Sequence, residues 1–195
     1  MDGSQNTLAV IIMSVALTCP HIGEALRIAG WDLREGTRDD ADAVAAASMI
    51  VVDGPPEASP LRHDPIVAAV MKGGRMPPFP VDLVVDPGQD VDALAAMFSQ
   101  WLVPDTASLT RMATMFGRDG LLPVVQGLRA ELELAIGGAE GHSAHRIAGL
   151  AGTLGFTAAS ASWQAVDQGI GEQAAALRDS RTAMIAIDRW LAEAG

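Results

Sequence analysis

Two hydrophobic periods divide the chain. Over the first hundred residues, continuous apolar runs alternate with stretches whose apolar positions recur every three or four residues. Thr7–Met13 is a Val/Ile-rich run, the pattern of a strand covered on both faces. Pro20–Ala29 follows, with Ile22, Ala25, Leu26 and Ala29 on one helical face and Gly30 as its stop. Trp31–Arg34 predicts a short strand. Asp39–Ala47 predicts an Ala-rich helix with its acids at the N-terminal end, where the macrodipole favours them. Ser48–Asp53 is another buried strand, ended by Gly54-Pro55-Pro56. Pro65–Lys72 is expected as a helix stopped by Gly73-Gly74, and Met76–Pro80 as a loop, since its prolines exclude helix. Val81–Val85 predicts a last strand and Val91–Leu102 an amphipathic helix. Such alternation implies a parallel sheet with helices on its faces.

Beyond residue 105 only the helical period remains. Val125, Leu128, Leu132 and Ile136 mark one buried stripe. His142–Gly155, Ala158–Gln168 and Glu172–Ala192 form three further helical segments, separated by Gly155 and by Gly169 and Gly171. Short connections between amphipathic helices imply antiparallel neighbours in a bundle, here of four helices. Pro104-Asp105-Thr106 is the best boundary, with Asp105 or Thr106 as an N-cap. The expected fold class is therefore α/β plus all-α, with domains at 1–103 and 105–195.

Composition narrows the function. The 195 residues carry 13 Lys+Arg against 24 Asp+Glu, a net charge of −11. An acidic chain with no Tyr and 4% aromatic residues lacks the cations and stacking surfaces that nucleic-acid binding needs. The single cysteine, Cys19, excludes an intramolecular disulfide, a zinc ribbon and a CxxC redox pair. Leu8–Leu17 is apolar, but no lysine or arginine precedes Arg27, so it is read as a buried strand rather than an export signal or membrane span, and the protein as cytoplasmic. HExxH, GxSxG and P-loop motifs are absent.

Candidate chemistry concentrates in His142–Phe156, HSAHRIAGLAGTLGF. Each helical residue turns about 100°, so Ile147, Leu150, Ala151 and Leu154 form the buried stripe. His145 lies opposite, with Ala148, Gly149 and Gly152 at its own i+3, i+4 and i+7. A glycine inside a helix is less favourable than alanine by about 0.8–1 kcal/mol. Two on one exposed face therefore suggest a surface cleared for another molecule. Imidazole suits a transfer role, since its unperturbed pKa of about 6.5 keeps a lone pair available near neutrality. A lone surface histidine on an amphipathic helix is ordinarily just solvated. His142 and His145 at i, i+3 have only Glu140 nearby and no cysteine, so no metal is expected there.

The segment from Ala144 to Gly155 resembles the signature of histidine phosphotransfer (Hpt) domains: a helical His, an apolar residue two on, Lys three on, Gly four on, then Leu-Gly nine and ten on. Ile147, Gly149 and Leu154-Gly155 match; Ala148 stands where the family has lysine. Phe116-Gly117-Arg118-Asp119 and Trp163–Asp167 fit the surrounding helices, and the resemblance covers about residues 105–195. It implies that His145 takes a phosphoryl group from a receiver-domain aspartate and passes it to another, and it favours His145 over His142, His21 and His63. The docking face would comprise His142, Arg146, Ala148, Gly149 and Gly152. Arg146, about 100° round the helix, is an imperfect replacement for the missing lysine. With Ala148 there, a non-transferring adaptor that binds receivers or a histidine kinase is the alternative.

The N-terminal half is similar to a receiver domain, flavodoxin-like in type, with Asp53 closing the third predicted strand. Set against that family, the span from Asp53 to Val81 is short, so the resemblance implies a truncated sheet with one strand–helix unit missing. Most functional positions do not carry over. Met13 and Ser14 stand where receivers place a magnesium-holding acidic pair, and Asp86, before Pro87, replaces the final-strand lysine. Asp53 is therefore expected to be a relic rather than a phospho-acceptor, and the domain a pseudo-receiver, a candidate surface for homodimerisation or partner choice. The resemblance implies no cofactor of the chain's own. Its partners would be receiver domains of response regulators or hybrid histidine kinases, with Mg2+ held by that receiver.

Overall fold

The computed structural model describes residues 8–12, 15, 19–37, 39–53, 65–74, 76–77 and 80–193. The chain divides into two compact units, Met1–Leu102 and Val103–Gly195.

The first unit is α/β. Its strands are β1 (Leu8–Ile12), β2 (Asp32–Gly36), β3 (Met49–Val52), β4 (Ile66–Val70) and β5 (Leu83–Val85); its helices are α1 (Pro20–Ile28), α2 (Ala41–Ala46) and α3 (Val91–Ser99). All strand pairs are parallel, in the order β2-β1-β3-β4-β5, one of the two common doubly wound orders. Strand alternation assigns the two faces. Val10, Ile50 and Val52 pack with Ala43 and Ala47 of the α2 segment. Ala9, Met49, Val51, Ile66 and Ala68, on the other face by register, are wholly buried, as are Leu26 of α1 and Phe98 of α3. Two long-range bonds fix this unit's helices: Trp31 Nε1 donates to the Phe98 carbonyl at 3.1 Å, and His21 Nε2 to the Pro87 carbonyl at 2.9 Å.

Two expectations are corrected. Ile66–Val70, expected in a helix, is β4, paired in register with β3 from Met49↔Ile66 to Val52↔Ala69. A short apolar run reads equally as strand or buried helix. Here β-branched Ile66, Val67 and Val70 and the neighbouring strand decide for the strand. The sheet is consequently not short of a strand. What is brief is the β4–β5 connection, where the described residues hold only a turn of 3-10 helix, Lys72–Gly74. Residues 54–64, Met13 and Ser14, and part of the expected 76–80 loop lie outside the described residues.

The second unit is helical: α4 (Ala107–Phe116), α5 (Arg118–Ile136), α6 (Ala144–Leu154), α7 (Thr157–Asp167) and α8 (Gln173–Ala192). Helix α4 is additional to the four expected. Helix α6 packs on α7, α7 on α8, and α5 on α8, α4 and α6. One core joins Leu128 and Leu132 of α5, Ile147, Ala151 and Leu154 of α6, Trp163 of α7, and Ile187 and Trp190 of α8. Asp188 accepts from Arg129 Nε at 2.5 Å and from Nη2 at 3.4 Å, clamping α8 to α5. That hydrogen bond to Asp188 raises the Arg129 pKa above its ordinary value. Among the described residues no helix is long and apolar enough to cross a membrane.

Candidate functional site

Helix α6 is bounded by local chemistry. Ser143 caps it, its Oγ accepting from Arg146 N at 3.3 Å. Gly155, at φ +90, ends it in the left-handed conformation. The Phe156 amide then reaches back to the Ala151 carbonyl at 2.8 Å, and the Phe156 ring is buried. Ile147, Ala151 and Leu154 are buried as the period requires. His145 is thereby turned outward, its side chain 87% exposed.

The imidazole is held from one side. His145 Nδ1 lies 3.1 Å from Asp167 Oδ2. A carboxylate only accepts, so Nδ1 carries the hydrogen, and in the neutral ring Nε2 is the nitrogen with the lone pair. Asp167 is the last residue of α7, the wrong end of a helix for a negative charge, and the imidazole N–H offsets that placement. The end of α7 is fixed by Gly169 at φ +72, with Gly169 N bonded to the Val166 carbonyl and Ile170 N to the Ala165 carbonyl, a Schellman closure.

The remaining predicted site residues divide. Gly149 is exposed, and a Cβ built on it would meet nothing within 4 Å, as a cleared surface requires. Gly152 is different: a Cβ there would stand 2.9 Å from Ser160 Oγ, and that hydroxyl donates to the Ala148 carbonyl at 2.9 Å. The sequence expectation that both glycines lack a packing reason is therefore corrected for Gly152, which lets α7 approach α6. Ala148 is half-buried against the core. His142 is occupied structurally, with Nδ1 donating to the Ala139 carbonyl at 3.1 Å and its ring edge-on to Trp163 at 5.5 Å. Arg146 Nη1 lies 3.0 Å from Glu131 Oε1 on α5. In the first unit, Asp53 is exposed just past β3, and Asp86 Oδ1 accepts from Gly88 N at 2.9 Å in a local turn. Among the described residues no group of His, Cys, Asp and Glu could hold a metal ion.

Compared with known proteins, the chain matches no family model, no curated protein and no solved structure.

The site's capability follows from its own atoms. An outward nitrogen lone pair, a ring fixed by a hydrogen bond at its other nitrogen, and an open position one turn on form a nucleophile for a partner's electrophile. The imidazole side chain is 87% exposed, so the remaining machinery for any reaction there would have to arrive with the molecule it reacts with. Sequence reasoning did not single out Asp167, Glu131 or Ser160. A signal existed for Asp167, an acid immediately before the helix-ending Gln168-Gly169, where the macrodipole disfavours it.

Proposed function

We propose that this chain is a histidine phosphotransfer protein of a two-component phosphorelay. The observation that carries this reading is the His145 imidazole, exposed on α6 with Nδ1 on Asp167 and Nε2 facing water. Nε2 attacks the phosphorus of an aspartyl phosphate on a receiver domain. The P–N bond forms as the P–O bond to the carboxylate breaks, and the electron pair leaves with that carboxylate. Asp167 accepts from Nδ1–H throughout and steadies the positive charge that develops on the ring. The reverse sequence delivers the phosphoryl group to a second receiver, whose own residues hold the magnesium. In this reading the C-terminal helices are an Hpt bundle and the chain works in the cytoplasm.

The first unit is proposed as a degenerate receiver. The strand order β2-β1-β3-β4-β5 and Asp53 beyond β3 support the likeness. Asp86 in place of a lysine removes the phosphate clamp, so the unit serves dimerisation or partner choice rather than catalysis.

Incubation with a phosphorylated receiver should label the wild-type chain with an acid-labile, base-stable phosphate that His145→Ala removes. Label surviving that substitution overturns the assignment. A second reading, an adaptor that docks receivers without transfer, is favoured by Ala148; binding with no label on the wild-type chain would establish it instead.

A further inference from the structure

Between Arg129 and Arg178 the sequence contains one lysine or arginine, Arg146, adjacent to His145. Consecutive helical side chains diverge by about 100°, and here they are drawn apart by opposite neighbours. His145 is bonded to Asp167 on α7, and Arg146 to Glu131 on α5. The two acids differ in burial. Asp167 is 41% exposed, whereas the Glu131 side chain is 10% exposed. Glu131 Oε2 is buried with no hydrogen-bond partner among the described residues, so its carboxylate leans on the single contact to Arg146.

A phosphoryl group on His145 would bring about two negative charges next to the Asp167 carboxylate. The cation adjacent to it in the sequence is Arg146, and whether it can turn to the phosphate depends on what it leaves behind. Separating an exposed ion pair shifts an equilibrium by about fivefold or less. Stripping the counter-charge from a buried carboxylate shifts it by roughly a hundredfold or more. A solvent-exposed guanidinium–phosphate contact does not recover a factor of that size, so Arg146 stays with Glu131.

We infer that Glu131 withholds Arg146 from His145, acting as a positioning residue that keeps the phosphohistidine without the adjacent guanidinium and therefore short-lived until a partner supplies a cation. The inference rests on the phosphotransfer reading and adds to it that the carrier is built to release its phosphoryl group rather than to store it.

The test loads the full-length chain with phosphoramidate, whose P–N bond breaks, releasing ammonia, as the bond to His145 Nε2 forms. After donor removal, phosphorus NMR follows the phosphohistidine half-life. Glu131→Gln, which keeps the shape and removes the charge, should lengthen the half-life by about five- to tenfold, because the released guanidinium can then reach the phosphate. Glu131→Leu, suited to a buried position, carries the same expectation if glutamine is not tolerated. Arg146→Gln should leave the half-life unchanged, and Glu131→Gln with Arg146→Gln should cancel the gain. A purely structural ion pair would alter thermal stability and leave the half-life alone. An unmoved half-life in both Glu131 variants overturns the inference, as does a several-fold shortening by Arg146→Gln alone. Absence of any His145-dependent label on the wild-type chain overturns the phosphotransfer reading itself, and this inference with it.

Discussion

Replacing Gly149, Gly152 and Gly155 by alanine, one at a time, should give three different stabilities from one helix. Alanine is better than glycine inside a helix by about 0.8–1 kcal/mol. At Gly149 nothing lies within 4 Å of the added methyl, so the whole gain should appear. At Gly152 the methyl would stand 2.9 Å from Ser160 Oγ. The hydroxyl has to rotate away, giving up its bond to the Ala148 carbonyl, worth about 0.5–1.5 kcal/mol. The two effects should nearly cancel. At Gly155 there is no helical gain. Its φ of +90 is unfavourable for alanine by about 1–2 kcal/mol, and the methyl would come within 2.5 Å of Ser108 Cβ. That atom moves only with the α4 backbone, and such overpacking costs about 1–3 kcal/mol. The total loss should exceed about 2 kcal/mol. Calorimetric melting reads the series, since 1 kcal/mol moves the midpoint of a small domain by about 4–8 °C. The expected order is a rise for Gly149→Ala, little change for Gly152→Ala and a clear fall for Gly155→Ala. Equal shifts at Gly149 and Gly152 would refute the distinction between an open position and a packed one.

Two further outcomes follow from the same contacts. Asp167→Asn should change stability by less than about 1 kcal/mol, because the pair with His145 is solvent-exposed. It should nevertheless slow phosphoryl uptake by about tenfold, since an amide no longer steadies the charged ring; thermal melting reads the first quantity and a labelling time course the second. Arg129→Ala removes the two-pronged partner of Asp188, itself 8% exposed. Urea unfolding should show a loss of about 2–4 kcal/mol, discounted for the partly exposed guanidinium, and a loss below 1 kcal/mol would mean the clamp is not a stabilising element.

Helix α6 was legible because its signals are local: Ser143 at the cap, Gly155 at the stop and apolar residues at helical spacing between them. The outward direction of His145 follows from that spacing alone. What lies beside it does not. Asp167 is 22 residues away on another helix, and only packing determines which acid comes within reach. Gly152 exposes the same limit from the other side. A periodicity argument treats the helix as an isolated cylinder, and it cannot tell which part of the polar face Ser160 will approach. The reading of Ile66–Val70 failed for a related reason. Six apolar residues, Ile66 to Met71, between a proline and a Gly-Gly pair satisfy either period, and the hydrogen bonds that settle the matter belong to β3. Helix α4 went unread because only Leu109 of its residues is buried, leaving a faint stripe.

The last helix of the bundle closes a structure it cannot begin. Along its 20 residues, Ala176, Ala183, Ala186, Ile187 and Trp190 complete the core that α5, α6 and α7 line from the other sides. During synthesis at about 5–20 residues per second, those 20 residues take roughly 1–4 s to add. Until they emerge from the ribosome, Leu128, Leu132 and Trp163 lack the wall of their core that α8 supplies. The nascent chain therefore passes through an interval in which its greasiest surface is bare, and chaperone capture or aggregation should be greatest then.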